Sequence, residues 1–323
     1  MNSQRDYPSL EVTGLRREFS VAGSTRPLVA VNDVSLTVTE GSVVGIVGES
    51  GSGKSTLGYC LSGYLRPTSG SVTVLGEPLT WSRRTRSVPK VQMAFQDAFE
   101  SLDPRWTIGE SLREAAAASG ASEQDIADAV ESMGMRTDIL DQHPSDLSPG
   151  YQKVINLVRA VVAGARVIVA DEPTSGLDLR SRRLMAGALR TLARNSGISL
   201  LLISHDLPFI QHLADTIYVM YLGDVVEQGD KSRVFSHPMH PYARALVAAS
   251  LREESVKLAG EIPSPTDRPK GCPLAGRCPF AEARCWAEEQ RLLGGSDHQW
   301  ACWKAEDIDK EIRSREEEGV KSA

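Results

Sequence analysis

A glycine-rich segment near the N-terminus has the residue types and the spacing needed to hold a phosphate group. Residues 48–56 read GESGSGKST and match the pattern G-x-x-x-x-G-K-S/T. The glycines let successive backbone N–H groups point at one anion, and Lys54 adds a full positive charge. Ser55 can place its hydroxyl on a Mg2+ ion that bridges the outer phosphates. The segment therefore predicts a site for a nucleoside triphosphate. The residues expected to contact the nucleotide here are Gly48, Ser50, Gly51, Ser52, Gly53, Lys54, Ser55 and Thr56.

Four polar residues stand where predicted strands end. Asp171 and Glu172 close one apolar run, and Gln96 and His205 close two others. Because ligands collect at the carboxyl ends of parallel strands, we expect these side chains to lie near the phosphate site. Asp171 can hold Mg2+ through water, while Glu172 can orient and polarise an attacking water. Gln96 and His205 are uncharged polar groups able to reach the γ-phosphate or that water.

Four of the five cysteines lie in a proline-rich segment near the C-terminus, spaced C-x5-C-x6-C-x16-C. A segment with so little apolar content cannot fold on its own core, and thiolates at these spacings would fold around a metal. Tetrahedral sulfur ligation suits either zinc or an iron-sulfur cluster, although the closely paired cysteines usual for zinc are absent. We expect a structural centre far from the nucleotide site. The predicted ligands are Cys272, Cys278, Cys285 and Cys302.

The elements that must position these residues alternate between short apolar strands and helices. Such alternation predicts a mainly parallel sheet covered on both faces. Alternating apolar residues near the N-terminus add a smaller antiparallel sheet. The strand patterns fall at residues 10–13, 28–38, 42–47, 71–76, 91–96, 167–172 and 198–204.

The chain divides into two parts at a change of composition. Residues 8–230 form the predicted nucleotide-binding domain, with a helical subdomain inserted at about 97–160 because that run is too long for a simple crossover. Residues 231–323 form a C-terminal extension. Within it, 260–303 is the irregular cysteine segment and 304–323 is a charged tail expected to be a frayed helix or disordered.

Composition narrows the possible partners. The chain has 41% hydrophobic and 24% charged residues, and 36 basic against 42 acidic residues give a formal charge of −6. This balance lacks the basic footprint of a nucleic-acid binder, so no nucleic-acid partner is expected. There is no apolar run of the roughly 20 residues that span a bilayer, and the N-terminus lacks a hydrophobic signal core. We therefore expect a cytoplasmic protein, for which any association with a membrane must go through a partner.

The order and spacing of these motifs resemble the ATPase subunits of ABC transporters. Residues 48–56 look like the Walker A loop, residues 167–172 like Walker B, and LSPGYQ at 147–152 like the LSGGQ signature. The resemblance implies an α/β P-loop NTPase fold of the ABC ATPase class, with ATP and Mg2+ as cofactors and ATP hydrolysis as the activity.

The same resemblance implies roles for single residues. Phe19 would stack on adenine, Gln96 would be the Q-loop glutamine and a Mg2+ ligand, and His205 would be the switch histidine. Asp178 would belong to the D-loop, SGLD at residues 175–178. Glu172 would be the catalytic carboxylate.

In that family, two ATPase domains sandwich two ATP molecules, each between the Walker A loop of one subunit and the signature of the other. Ser148 and Gly150 would therefore contact ATP across the interface. Pro149 replaces a glycine and removes one backbone donor, a loss worth roughly 1.5–3 kcal/mol. We therefore expect the second ATPase subunit to be a different protein.

A narrower resemblance is to the ATPases of oligopeptide and dipeptide importers, a branch that also includes nickel importers. It implies peptide import with two transmembrane permease subunits and, indirectly, an extracytoplasmic solute-binding protein. It also implies that the chain is peripheral, on the cytoplasmic face of the cell membrane. It also favours a 4Fe-4S cluster over Zn2+ on the four cysteines. The alternatives are an importer of another solute such as nickel, and a soluble ABC ATPase without a transport role. The segments that carry this resemblance are FQD at 95–97, SLDPR at 101–105, HPMHPY at 237–242, GEIPSP at 260–265, GC at 271–272 and RCP at 277–279.

Overall fold

The computed structural model describes residues 8–23, 26–81, 90–94, 102–251, 256–264, 266 and 268–321. The strands are β1 (Leu10–Phe19), β2 (Leu28–Val38), β3 (Val43–Val47), β4 (Ser69–Val74), β5 (Glu77–Pro78), β6 (Val91–Ala94), β7 (Val167–Asp171), β8 (Ser199–Ser204), β9 (Thr216–Tyr221), β10 (Asp224–Asp230), β11 (Leu293–Gly295) and β12 (His298–Trp300). The α-helices are α1 (Lys54–Leu61), α2 (Ile108–Ala116), α3 (Glu123–Ser132), α4 (Pro149–Val162), α5 (Leu179–Asn195), α6 (Leu207–Leu213), α7 (Lys231–Ser236), α8 (Pro241–Leu251), α9 (Ala283–Ala287) and α10 (Ala305–Lys321).

The main sheet has the strand order β11-β12-β10-β9-β3-β8-β7-β6 among the described residues. Strands β9, β3, β8, β7 and β6 run parallel, while β10 and β12 pair antiparallel towards one edge. Every residue of β3, β7 and β8 is buried, as expected for parallel strands covered on both faces. The predicted mainly parallel sheet is confirmed.

A second, antiparallel sheet of order β2-β1-β4-β5 packs beside it. The two sheets share a core because the residues of β3 alternate between faces. Val44 and Ile46 pack with the antiparallel sheet and α1, whereas Val43 and Val47 pack in the larger cluster with the remaining helices. Between them, Gly45 leaves room for α6, since a Cβ there would lie 2.5 Å from a methyl of Ile210.

The helices predicted between the strands β6 and β7 are α2, α3 and α4. Capping boxes start the first two. The Thr107 hydroxyl accepts from the backbone N–H of Glu110, and the Thr107 backbone N–H donates to the Glu110 carboxylate. Ser122 and Asp125 form the same pair of hydrogen bonds. Pro149 occupies the first turn of α4, where its missing N–H costs the helix nothing. The exact limits of the subdomain stay a prediction.

The C-terminal residues contribute to the main sheet and its core. Strand β12 pairs with β10, and Cys272, Leu274 and Ala275 belong to the larger hydrophobic cluster. The charged tail, expected to be frayed or disordered, contains the 17-residue helix α10. A separate cysteine-rich unit stays a prediction. Within the described ranges no helix is both long enough and apolar enough to cross a bilayer.

Candidate nucleotide site

The glycine-rich loop joins β3, which ends at Val47, to α1, which begins at Lys54. Gly48 and Gly53 have φ angles of 153° and 100°, and both lie against other backbone. A Cβ at Gly48 would stand 2.2 Å from the carbonyl oxygen of Met220, and one at Gly53 would stand 2.0 Å from that of Ala30. Only glycine fits at these two positions, so the curled loop predicted from the sequence is built by close backbone contacts.

Lys54 lies inside this loop. Its Nζ donates to the carbonyl oxygens of Gly48 and Glu49, each at 2.8 Å, and to the hydroxyl of Ser52 at 3.2 Å. Burial lowers the pKa of Lys54, although the carboxylates of Glu172, Asp171 and Glu49 oppose that shift. The loop therefore presents a cation beside a set of backbone N–H groups, which is the chemistry of an anion site.

A cleft of about 870 Å3 opens above the loop. It brings together most of the residues proposed for the nucleotide, from both sheets. Phe19 lies at its edge, and the guanidinium of Arg17 lies 4.5 Å from the centre of the Phe19 ring. The described residues that line the cleft are Phe19, Leu28, Ala30, Ser50, Gly51, Gly53, Lys54, Ser55, Thr56, Glu172, Ser175 and His205.

Asp171 ends β7 and is only 5% exposed. Burial raises the pKa of its carboxyl, and a hydrogen bond from Ser55 counteracts part of that shift. Its Oδ1 is one of the buried side-chain atoms that have no hydrogen-bond partner among the described residues. A buried carboxylate oxygen without a partner, beside a serine hydroxyl, suits a hard divalent cation that prefers oxygen ligands.

Glu172 and His205 meet at the rim of the cleft. Oε1 of Glu172 lies 2.7 Å from Nδ1 of His205 and accepts from the His205 backbone N–H at 3.1 Å. Its Oε2 accepts from the hydroxyl of Ser204 at 3.1 Å. Glu172 has a φ of 49°, which is uncommon for a residue with a Cβ. The structure thus joins two residues that the sequence proposed separately.

The remaining predicted residues lie elsewhere or outside the described part of the chain. Ser148 is the N-cap residue of α4, and Gly150 packs so closely on α5 that a Cβ would lie 2.6 Å from that of Ser181. Asp178 caps α5 by accepting from the Ser181 N–H at 2.7 Å. These three do not line the cleft of their own chain as the described residues define it. Gln96, with the rest of 95–101, lies outside the described residues.

Sequence reasoning missed several residues at this site. Leu28 pairs directly with Phe19 across the β1–β2 ladder, so the pairing register was the signal that could have found it. Lys153 on α4 donates to the carbonyl oxygens of Ser175 and Glu172, at 2.8 and 3.4 Å. That contact ties the signature helix to the segment after β7. No pattern in the sequence around Lys153 predicts this contact.

Comparison with known proteins places this cleft in a family. The chain matches the ABC transporter family over residues 31–175 and the oligopeptide/dipeptide transporter C-terminal region over residues 226–285. The oligopeptide transport ATP-binding protein OppF of Salmonella typhimurium is 35% identical over 326 residues, which cover 93% of this chain and 97% of that protein. The chain belongs to the ATP-binding proteins of ABC transporters.

Two further similarities agree with this ABC family. The dipeptide transport ATP-binding protein DppF of Haemophilus influenzae is 34% identical over 312 residues, 91% of this chain and 95% of that protein. The solved structure of cbiO1 from Clostridium perfringens, part of an ABC transporter complex, superposes with a TM-score of 0.62 at 24% identity. It covers 76% of this chain and 96% of that chain, and it shows the P-loop ABC ATPase fold.

The four cysteines of this ABC ATP-binding protein approach one another near the core. Burial, with a smaller contribution from the neighbouring thiols of Cys302, Cys285 and Cys278, raises the pKa of Cys272 to about 12. The N–H of Cys272 also donates to the carbonyl of Cys285 at 2.7 Å. Even so, the described part of the chain has no group of three or more His, Cys, Asp or Glu side chains arranged to hold a metal ion. The metal centre predicted from the spacing is therefore not supported by this arrangement.

The histidines near these cysteines have structural roles. Nε2 of His298 lies 2.8 Å from Oε1 of the buried Glu227. His240 is 1% exposed, accepts from the Tyr242 N–H at 3.1 Å, and has its pKa lowered to about 3 by burial. The cysteine segment nevertheless reaches the phosphate loop, because Arg277 donates to the Glu49 carboxylate at 2.9 Å. That a centre on the four cysteines lies far from the nucleotide stays a prediction.

Proposed function

We propose that this ABC ATP-binding protein is the ATP-hydrolysing subunit of an importer for oligopeptides or dipeptides. The observation that carries the proposal is the presence, in one chain, of the ABC cleft and of the region matched by the oligopeptide/dipeptide transporter family at residues 226–285. The relatives named above are transport proteins, so neither a soluble ABC ATPase nor a nickel importer is favoured.

The residues of the cleft support a division of labour. Lys54 and the N–H groups of the loop would bind the outer phosphates, and Phe19 would stack on adenine. Ser55 and the partnerless oxygen of Asp171 would hold Mg2+, which supplies charge neutralisation on the phosphates. Gln96 is the further proposed Mg2+ ligand.

Hydrolysis would depend on the pair at the rim of the cleft. Glu172 would accept a proton from the attacking water, and its contact with His205 would hold the carboxylate in place. Ser204 donates to the second oxygen, so the carboxylate has a fixed orientation. Gln96, which lies outside the described residues, is the third catalytic residue proposed from the sequence.

The second ATPase subunit would complete each site. Ser148 and Gly150 stand at the start of α4, where helical N–H groups are unpaired, and Asp178 stands at the start of α5. These residues would face the ATP bound by the partner. Because Pro149 lacks an N–H, we infer that the partner is a different protein and that its ATP site turns over more slowly.

Replacing that proline tests the inference. Pro149→Gly restores one donor and should speed the slower site several-fold, with Pro144→Gly in the preceding turn as the control. The measurement is single-turnover hydrolysis in the purified complex. A homodimer with two equally fast sites would contradict it.

We also propose that the four cysteines hold a structural 4Fe-4S cluster rather than Zn2+. The support is the spacing of the four cysteines and the resemblance of the segment to peptide importers, since the described side chains do not form a metal-binding group. Protein purified without oxygen should contain about four iron atoms per chain and absorb broadly near 400 nm. Cys285→Ser should lose the iron, whereas Cys60→Ser should keep it. Colourless anaerobic protein that contains one zinc per chain would show that the cysteines bind Zn2+ instead of a cluster. Protein that contains neither metal would show that the four cysteines are free thiols.

Transport itself tests the main proposal. The complex is purified from its native membrane through a tag on this chain and incorporated into proteoliposomes with its solute-binding protein. We expect two permease subunits to co-purify and peptide uptake to require ATP. Lys54→Ala should abolish uptake, while Lys310→Ala on α10 should leave it unchanged. ATP-driven uptake of Ni2+ without peptide uptake would select the nickel alternative, and the absence of membrane subunits would select the soluble one.

A further inference from the structure

Two residues of the C-terminal extension, Tyr242 and Arg277, form hydrogen bonds with Glu49 of the phosphate loop. Glu49, the second residue of the loop, donates its backbone N–H to the hydroxyl of Tyr242 at 2.7 Å. Its carboxylate accepts from Arg277 at 2.9 Å. These partners are 193 and 228 residues away in the chain. Neither contact comes from the strand or the helix that flank the loop.

The side chains of Tyr242 and Arg277 are themselves largely buried and in contact with other residues of the fold. Tyr242 is 1% exposed and its ring lies 4.7 Å from that of Tyr221, centre to centre. Arg277 is 12% exposed in its side chain, donates to the Tyr221 hydroxyl at 3.4 Å, and contacts the carbonyl of Ala259 at 3.3 Å. An arginine fixed by several acceptors loses little side-chain entropy when it also pairs with a carboxylate. The ion pair with Glu49 is therefore stronger than an ordinary surface pair, although Glu49 keeps 32% of its side-chain exposure.

The contacts continue from Glu49 into the centre of the loop. The carbonyl oxygen of Glu49 accepts from Nζ of Lys54 at 2.8 Å and from the N–H of Ser52 at 3.2 Å. A shift of Glu49 therefore moves the acceptor that orients the Lys54 ammonium. It also alters the turn that aims the loop N–H groups.

We propose that Arg277 and Tyr242 are positioning residues for the phosphate loop, so that ATP affinity depends on the C-terminal extension being folded against Glu49. The proposal rests on the proposed role of the loop in binding ATP. Neither residue touches the nucleotide cleft as its described lining residues define it, and both act through Glu49. Arg277 directly precedes Cys278, so the conformation of the cysteine segment is coupled to the nucleotide site through one side chain.

The chain supplies a matched control for Arg277. Arg277 precedes Cys278, and Arg284 precedes Cys285. Among the described residues, the side chain of Arg284 contacts Glu288 and the ring of Trp303, both in the extension. In the full-length protein, Arg277→Met should weaken the binding of a fluorescent ATP analogue about ten-fold, in line with the loss of a charge-assisted hydrogen bond. Arg284→Met should not change it. Arg277→Lys should recover about half of the loss on a logarithmic scale, and Tyr242→Phe should weaken binding about three-fold.

Two further readouts separate positioning from a general loss of structure. In the assembled complex, Arg277→Met should raise the KM for ATP while kcat stays within about two-fold. Adding Glu49→Gln to Arg277→Met should cause no further weakening, because both act on one contact. Unchanged affinity in Arg277→Met, or equal weakening in Arg284→Met, would overturn the proposal. Lys54→Ala tests the underlying assignment independently, since unchanged analogue binding in that variant would reject the role of the loop itself.

Discussion

Asp171 at the end of β7 and Glu227 in β10 are both buried carboxylates of the main sheet, but their oxygens have very different surroundings. Asp171 keeps one buried oxygen without a hydrogen-bond partner. Glu227 is fully buried and accepts from the N–H groups of Met239 and His240, while also contacting His298. Folding thus leaves one oxygen of Asp171 without a partner, whereas both oxygens of Glu227 accept hydrogen bonds. Asp171 therefore keeps an oxygen that can bind a ligand, whereas Glu227 uses both oxygens to connect β10 with the C-terminal extension.

The same contrast extends to the backbone. Glu172, next to Asp171, has a left-handed φ of 49°, and the loop beside it contains glycines packed directly on carbonyl groups. Strain of this kind costs about 1–3 kcal/mol per residue and persists only where the surrounding structure holds it. Glu227 has no such φ angle, although the β9–β10 register shifts between Val225 and Glu227. The positive φ of a residue with a Cβ is therefore a feature of Glu172 at the cleft and not of Glu227.

The largest expected effect comes from a substitution in the cleft and is measured as ATP turnover. Glu172→Gln keeps the size of the side chain but removes the proton acceptor, so ATP turnover in the complex should fall about a hundred- to ten-thousand-fold. ATP binding should persist, because Lys54 and the loop are untouched. Glu131→Gln on the exposed face of α3 is the control. Turnover of Glu172→Gln within a few-fold of the parent would show that this carboxylate is not the base.

The next largest effect comes from a substitution at Glu227 and is measured as the free energy of unfolding. Glu227→Gln replaces a carboxylate that accepts from several donors with an amide whose own N–H groups face them, so the free energy of unfolding should fall by about 3 kcal/mol. Chemical denaturation of the full-length protein measures the loss. Glu261→Gln, an exposed position in the same extension, should change stability by less than about 0.5 kcal/mol. Equal stability of the two variants would mean that Glu227 does not anchor the extension.

The smallest effect is on the free energy of unfolding, and its sign is opposite to that expected for Glu227→Gln. Asp171→Asn removes a charge that is buried without full compensation, and should raise the free energy of unfolding by about 1 kcal/mol at neutral pH. Because burial raises the pKa of Asp171 in the folded state, the native protein binds the proton more tightly than the unfolded chain. Its contribution to stability is therefore present below the unfolded pKa and is lost as the pH rises through the folded value.

Denaturation at several pH values checks this sign. The advantage of Asp171→Asn over the parent should grow from about pH 4 upwards and level off above the folded pKa. Asp128→Asn, on the exposed face of α3, should show no such trend. An advantage that shrinks with rising pH would mean that the charged form of Asp171 is favoured in the folded protein.

Local pattern was enough to predict the parts of the site that are adjacent in the chain. The strand, loop and helix around Lys54 follow from a short run of residues, because glycine sterics and an apolar strand are local properties. Asp171, Glu172 and His205 were predicted from their places after apolar runs, since parallel strands bring their ends to one edge. The pairing of Glu172 with His205 was not predicted, because it depends on the register between β7 and β8.

The sequence by itself determined that this chain builds a phosphate loop, a parallel sheet with carboxylates at its edge, and a family signature interrupted by Pro149. It could not show that Arg277 and Tyr242 hold Glu49, nor that Glu227 joins β10 to His298. Those contacts unite residues 71 to 228 positions apart. Residue type and spacing control what happens within a few residues, whereas contacts at such separations arise only when whole elements pack. Only the tertiary structure therefore decided which side chains reach the loop from outside it.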